Sequence, residues 1–376
     1  MKKKNKKLVA VFTNNDDDIY CFRKELVEAT IEEGYDVLIS CPYGEKFELM
    51  QHIEYIYDNP VIDRRGTNIV ADIKLFFHYF FLIKKHRPDV VLTYTAKPNV
   101  YAGFAAILLR TPFISNVTGF GSAFMNNKYI EMFVTLLLRI VFRRADCVMF
   151  QNSTNKAFAE SKRMIKENWK IIPGSGVNTN RFSLLSYPDG GNGIDGAPVV
   201  FNYIGRILHD KGVDDFIEAA CRIKRKYPAT QFNMIGFIEP TEIHYEKTLE
   251  KLSEDGYIRY YGNQKDVRPF IEKAHATILP SYGEGMSNAL LESASSGRPL
   301  ISTDNQGCRE TFIDNVSGFI YRSADVDELV EKIEKFLSLP NEKRKEMGEK
   351  GREYIKENFS RDIVIDAYIK KIKEII

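Results

Sequence analysis

The stretch ATILPSYGEGMSNALLESASSGRPLIST, residues 276–303, decides the fold of this chain. It opens on a short apolar run and passes through a turn that carries Gly283 and Gly285. From Ser287 to Ser296 the apolar residues fall at helical spacing. Ser287 is a suitable N-cap there, and Gly297 followed by Pro299 is a stop signal. A second apolar run, PLIST, begins at once. A buried strand, a helix and another buried strand in such short order form the crossover unit of a parallel sheet. The unit also carries two carboxylates, Glu284 and Glu292, eight positions apart. Eight steps of about 100° leave an ~80° offset, so the pair does not share a helix face. Glu284 instead precedes the helix, on the turn, and Glu292 lies within it.

The same alternation runs along most of the chain. In the first half, strands are predicted over 7–13, 35–41, 90–95, 112–117 and 147–152, with helices over 20–33, 69–86, 98–109 and 128–144. Residues 169–178 read as a late strand entering a glycine turn. The segment SLLSYPDGGNGIDGA (183–197) has four glycines, a proline and no periodicity, and is predicted to be a linker. Beyond it, strands are predicted over 199–205, 231–236, 258–262, 276–281, 299–303 and 318–321, and charged helices from 325 onward. The expectation is an α/β protein of two doubly wound Rossmann-like domains, 1–182 and 198–360.

The 376 residues suit two domains, and 44% hydrophobic with 28% charged is a globular composition. Residues 1–180 hold 25 Lys and Arg against 19 Asp and Glu, and the remainder 28 against 32. A basic first half suits an anionic surface or ligand, although MKKKNKK alone supplies five of the cations. The five cysteines are scattered, without metal-ligand spacing, which fits a reducing compartment. The apolar run LVAVF is short and meets TNNDDD, so it reads as a first strand and not as a signal peptide. LFFHYFFLI (75–83) and MFVTLLLRIVF (132–142) fall short of the roughly 20 residues of a spanning helix. They are core helices or, with Arg139, Arg143 and Arg144 beside the second, a surface lying on an anionic membrane.

Ligands of open α/β sheets collect at the carboxyl ends of strands. Glu284 and the amides of Gly285, Met286, Ser287 and Asn288 sit at such an end, where a helix N-terminus favours an oxyanion or polar sugar. Glu292 offers an acceptor pair for two adjacent hydroxyls. A second strand-to-helix turn, GRILHDKG (205–212), carries Arg206 and Lys211, two cations suited to a diphosphate. Either carboxylate and either cation is, alone, equally an ordinary solvated side chain.

Together with YGNQKDV (261–267) and GCRETFIDNVSGF (307–319), these motifs make the chain resemble the retaining glycosyltransferases of family 4, over essentially its whole length. The resemblance implies the GT-B fold, two Rossmann-like domains facing across a cleft, with a C-terminal helix (about 361–376) crossing back to the first. It implies that Arg206 and Lys211 hold the diphosphate of a nucleotide sugar, usually UDP-linked, and offset its charge as it leaves. Glu292 would hold the ribose, Asn263 and Asp266 would border the base, and Glu284 with residues 285–288 would bind the transferred hexose or N-acetylhexosamine. Glu284 would position and stabilise, with a covalent role as the alternative. No cofactor and no essential metal are implied.

TYTAKPNVYAGFAA (93–106) and NVTGFGSAF (116–124) resemble a bacterial subgroup acting on undecaprenyl-diphosphate-linked sugars. This implies acceptor contacts from Lys97, Asn99, Thr118, Gly119 and Gly121. It also implies a place on the cytoplasmic face of the plasma membrane, a lipid-linked saccharide as partner and no nucleic acid. Two positions depart from the family pattern: NNDDD (14–18) replaces a glycine-rich loop, and TGFG replaces a loop with a cleft histidine. His209 is read as incidental. DVD (325–327) matches a metal signature of another glycosyltransferase class, but it opens a helix and is read as a cap. The alternatives are a sugar-nucleotide epimerase of GT-B fold, or a membrane-associated nucleotide-binding scaffold without turnover.

Overall fold

The structure is a computed structural model that describes residues 6–63, 68–120, 128–194 and 196–376, with the backbone alone at 128–130. Short apolar runs form two sheets in which all strand pairs are parallel. The first comprises β1 (Leu8–Phe12), β2 (Asp36–Ser40), β3 (Ile56–Asp58), β4 (Val90–Tyr94), β5 (Phe113–Val117), β6 (Cys147–Phe150) and β7 (Trp169–Ile171). The second comprises β8 (Val199–Ile204), β9 (Thr230–Ile235), β10 (Arg259–Tyr260), β11 (Ala276–Leu279), β12 (Leu300–Thr303) and β13 (Gly318–Tyr321). Their orders are β3-β2-β1-β4-β5-β6-β7 and β10-β9-β8-β11-β12-β13. In each, the winding direction reverses at the first strand, which makes both sheets doubly wound.

The central strands are buried on both faces, which is why they lack polar alternation. One face of the first sheet packs on the helices Ile69–His86, Ala96–Leu109 and Lys128–Phe142. The opposite face packs on the helices Asp16–Phe22 and Lys24–Glu32 and on the last helix, Arg361–Ile375. Tyr368 on that last helix accepts a 2.7 Å bond from Asn116 Nδ2 on β5. The C-terminal helix therefore belongs to the first unit, as the compact units Met1–Ser175 with Asp362–Ile376 and Gly176–Arg361 record.

The segment 183–197, expected as a linker, lies inside the second unit. Backbone oxygens hold it there. The fully buried Arg298 donates to the carbonyls of Leu185 and Ser186, and Arg344 to that of Gly191. Glycine content marked irregular backbone correctly but said nothing of buried guanidinium groups that tie it down. NNDDD is likewise a helix start: Asn15 accepts from Asp18 N, and Asp16, Asp17 and Asp18 occupy the first turn, where the helix dipole favours acids. DVD is a cap too, with Asp325 accepting from Glu328 N and Asp327 paired with Arg222.

The helix that carries Glu292, Asn288–Ser295, is backed by the helix Asn341–Phe359. Gly348 is the point of closest approach. A Cβ there would fall on the carbonyl oxygen of Gly297, whereas one at Gly351 would meet Ser317 Cβ at an ordinary 3.4 Å. Gly348→Ala is therefore expected to destabilise the protein by about 1–3 kcal/mol despite its better helix propensity. Gly351→Ala should be neutral or stabilising by up to ~1 kcal/mol. Urea unfolding of the two variants side by side checks the contrast, and equal losses would contradict the packing.

Candidate functional site

Five connections leave the carboxyl edge of the second sheet, and backbone hydrogen bonds join each to its neighbour. Gly236 N, after β9, donates to Gly262 O, after β10, at 2.9 Å. Ile207 N donates to Phe237 O at 2.9 Å, and Glu239 N returns to Ile207 O at 3.1 Å. Tyr282 N, after β11, donates to Asp210 O at 3.0 Å. Glu284 N and Ser287 N donate to Gln306 O and Gly307 O, after β12, at 3.1 and 2.8 Å. The predicted donor residues sit on this knitted edge.

Lys211 and Glu284, 73 positions apart in sequence, meet there in a 2.6 Å ion pair with side chains only 14% and 16% exposed. Arg206 donates at 2.6 Å to Glu239, itself 5% exposed, while the guanidinium stays partly open to solvent. The sequence motifs did not point to Glu239. Its signal was the acid in GFIEP, at the end of a predicted strand and thus on the same edge. Gly307 lies directly beneath Glu284: its φ is +73°, and a Cβ would stand 2.6 Å from the Glu284 carbonyl oxygen. Only glycine lets the loop after β12 support the turn so closely.

Residues 285–288 need one correction. Ser287 caps the helix through its hydroxyl, as expected, but its amide is spent on Gly307 and is not available to a ligand. Met286 turns its side chain into the core, while Gly285 and Asn288 are half-buried. Asn263 is exposed in the turn after β10. Asp266 is gripped by Arg268 through Nε and Nη2 (2.9 and 2.6 Å), and this bond, against burial, holds its carboxyl below the usual range. His209 pairs with Asp214 at 3.0 Å, and its ring packs edge-on against Tyr282.

Glu292 has the most perturbed carboxyl of the set. Burial raises its pKa from the ordinary 4.5 to about 7, with Arg361 and Arg181 opposing and Asp266 adding to the rise. No motif in the sequence singles out either arginine, because Arg361 comes from the far end of the unit and Arg181 from the edge of the segment expected to be a linker.

In the first unit the predicted residues are largely engaged. Lys97 pairs with Asp72 at 2.7 Å. Asn99 is 3% exposed, accepting from Thr93 Oγ1 and donating to Asn116 O, so it braces β4 against β5. Thr118 and Gly119 are half-buried after β5, and Gly121 lies outside the described residues. A pair that the sequence did not suggest stands at the end of β3. His78 Nε2 is 2.8 Å from Asp58 Oδ2, which also accepts from Ser40 Oγ at 2.6 Å. Among the described residues, no cluster of His, Cys, Asp and Glu has the arrangement of a metal site.

Known proteins are similar to this chain over most of its length. Residues 9–152 match the family described as glycosyl transferase 4-like, and residues 189–354 match glycosyl transferases group 1. The N,N'-diacetylbacillosaminyl-diphospho-undecaprenol alpha-1,3-N-acetylgalactosaminyltransferase of Campylobacter jejuni is 24% identical over 95% of this chain and 96% of its own. The capsular polysaccharide biosynthesis glycosyltransferase CapM of Staphylococcus aureus is 24% identical, covering 82% and 83%. Among solved structures, sucrose-phosphate synthase from Thermosynechococcus elongatus aligns with a TM-score of 0.78 at 16% identity, covering 98% of both chains. Anabaena HepE in complex with UDP and glucose aligns at 0.77 and 14%, covering 97% and 99%. The fold is GT-B.

The raised Glu292 carboxyl gives a stability test. Between pH 4.5 and about 7 the folded state binds more protons at this site than the unfolded state, so stability falls as pH rises through that window. Glu292→Gln should raise the melting temperature at pH 8, by about 2–4 °C if the effect is ~1 kcal/mol. The gain should vanish below pH 4.5. A gain independent of pH would show that the carboxyl does not titrate there.

Proposed function

The chain belongs to the glycosyltransferases, with a 4-like first region and a group 1 second region, and on that premise we propose that it moves a hexose or N-acetylhexosamine from a UDP-sugar to a lipid-linked saccharide with retention of anomeric configuration. The observation that carries this reading is the Lys211–Glu284 ion pair, with Arg206 on the neighbouring turn and Glu292 on the helix that follows. A sugar diphosphate is an elongated ligand with hydroxyls at both ends and negative charge between. The edge offers acceptors and cations for both.

In the proposed reaction the bond from the anomeric carbon to the diphosphate oxygen breaks, and its electron pair leaves with the diphosphate. The acceptor hydroxyl adds to the same face, and its proton passes to the departing phosphate oxygen. Arg206 and Lys211 offset the charge that grows on that oxygen, so no metal is required for this step. Glu284 is held against Lys211, where it steadies a positively charged sugar. Glu292 in its ionised form accepts from the ribose hydroxyls. The acceptor class is supported by the name of the Campylobacter relative, and the uridine nucleotide by the UDP bound to HepE. Surface polysaccharide or glycan assembly at a membrane surface is the setting proposed, with the unit Met1–Ser175 and the last helix serving the acceptor.

Glu284→Ala should lower turnover by about 10²-fold or more while nucleotide affinity changes little, because an electrostatic stabiliser acts mainly on the transition state. Arg206→Ala and Lys211→Ala should each weaken UDP binding by about tenfold or more, the value of a charge-assisted hydrogen bond. Calorimetry with UDP and transfer from a panel of UDP-sugars to a short-chain polyprenyl-diphosphate sugar separate these effects. Full transfer by Glu284→Ala would remove Glu284 from the mechanism. Loss of transfer in EDTA with rescue by manganese would overturn the metal-independent step.

A further inference from the structure

The helices Ile69–His86 and Lys128–Phe142 are apolar on both sides, yet only their inner sides are buried. Leu75, Tyr79 and Leu82 of the first, and Leu138, Val141 and Phe142 of the second, enter the core of the first unit. The outer stripe of the first helix, Ile69, Ile73, Phe77 and Phe81, repeats every four residues, and Met132, Leu136 and Ile140 repeat in the same way on the second. These seven side chains are 43 to 73% exposed. A helix apolar all round is ordinarily surrounded by other apolar groups. Monomeric soluble proteins seldom leave such area open without a use for it.

The helix Ala96–Leu109 packs against both and lies between them. It adds exposed Leu108 and half-buried Phe104 to the same layer. All three helices follow a strand of one parallel sheet, so they run in the same direction and end at its amino edge. Each ends in exposed cations: Lys84, Lys85 and Arg87; Arg110; Arg143 and Arg144. The nearby acids are already engaged. Asp89 and Asp146 accept from the backbone amides of Leu8 and Phe113, Asp72 pairs with Lys97, and Glu131 pairs with Lys162.

We propose that this three-helix layer docks on an anionic lipid bilayer, with its apolar side chains at the acyl boundary and its bordering cations among the headgroups. The inference rests on the lipid-linked acceptor reading for its biological sense and on the exposed layer for its geometry. An apolar face bordered by cations on one side is the pattern of an interfacial element that lies on a membrane without crossing it. No helix among the described residues is long and apolar enough to span one. A second copy of the chain is a poorer occupant. A two-fold interface would place the same patch on both sides, cations included, and the acids of that patch are committed elsewhere.

Flotation of the full chain with vesicles tests this, and requires no acceptor. Binding is expected to mixed phosphatidylcholine–phosphatidylglycerol vesicles, much less to phosphatidylcholine alone, and to weaken in high salt. Phe77→Asp with Leu136→Asp should lower the bound fraction about tenfold or more, with an unchanged melting temperature as the folding control. Arg143→Gln with Arg144→Gln should reduce the preference for the anionic lipid. Wild-type protein that does not float, or an aspartate variant that floats as well as wild type, would overturn the proposal. So would a wild-type dimer that the aspartate variant converts to monomer. Vesicle binding without transfer to a polyprenyl-diphosphate sugar would instead sink the acceptor reading and leave the docking face standing. Transfer to a short-chain acceptor without vesicle binding would do the reverse.

Discussion

A parallel strand can be followed only by a crossover, and this constraint places the turns after β8, β9, β10, β11 and β12 on one edge of one sheet. Their mutual backbone hydrogen bonds then convert neighbouring loops into a single surface. The consequence for the site is rigidity of position. Lys211 and Glu284 meet although they belong to different crossover units, because β8 and β11 are paired neighbours in the sheet. Arg206 reaches Glu239 because β8 is also paired with β9. Sheet order, more than sequence distance, decides which side chains converge.

The charges on that edge are arranged as partners. A largely buried lysine without an anion would bear a desolvation cost, and Glu284 offsets it. Arg206 is treated differently: one guanidinium nitrogen is fixed by the buried Glu239, and part of the group faces solvent. On the proposed function, a diphosphate would share Lys211 with Glu284 and meet an Arg206 already oriented by Glu239. At the N-terminus of the short helix Asn288–Ser295, Ser287 N is committed to Gly307 O and its hydroxyl caps the helix. Glu292 stands apart from this balance. Burial outweighs Arg361 and Arg181, so its ionised form is the one the fold resists.

Much of this was legible in the sequence because the alternation of buried strands and amphipathic helices is strong from Val199 to Tyr321. The Ser287 cap, the Gly297 stop and the position of Glu284 before the helix all follow from local rules. What was not legible depends on contacts made across the chain. Ser287's amide looked available because nothing local reveals Gly307 beneath it. The glycine-rich segment 183–197 looked like a linker because Arg298 and Arg344, which secure it, lie more than a hundred residues away. The strand β3 is a three-residue edge strand, exposed or half-buried throughout, and has no hydrophobic signature to find. Asn99 shows the opposite failure: an asparagine in the first turn of a predicted helix, read as an acceptor contact, is a buried brace between two strands.

The two units share a strand order but spend their polar residues differently. At the carboxyl end of β4 and β5, Thr93, Ser115, Asn99 and Asn116 bond to one another or to nearby backbone, closing that edge upon itself. The corresponding edge of the second sheet keeps a cation facing outward. The first unit instead carries apolar side chains on the outside of its helical layer. Periodicity alone cannot assign that outer face. Residues such as Phe77 and Leu136 look in sequence like core residues, and only the position of the sheet shows that they point away from it. The run of phenylalanines that argued for burial in the sequence is thus divided by the fold, with Phe76 and Phe80 against the core and Phe77 and Phe81 outside it. A core needs one apolar face per helix, so the second requires a reason beyond folding.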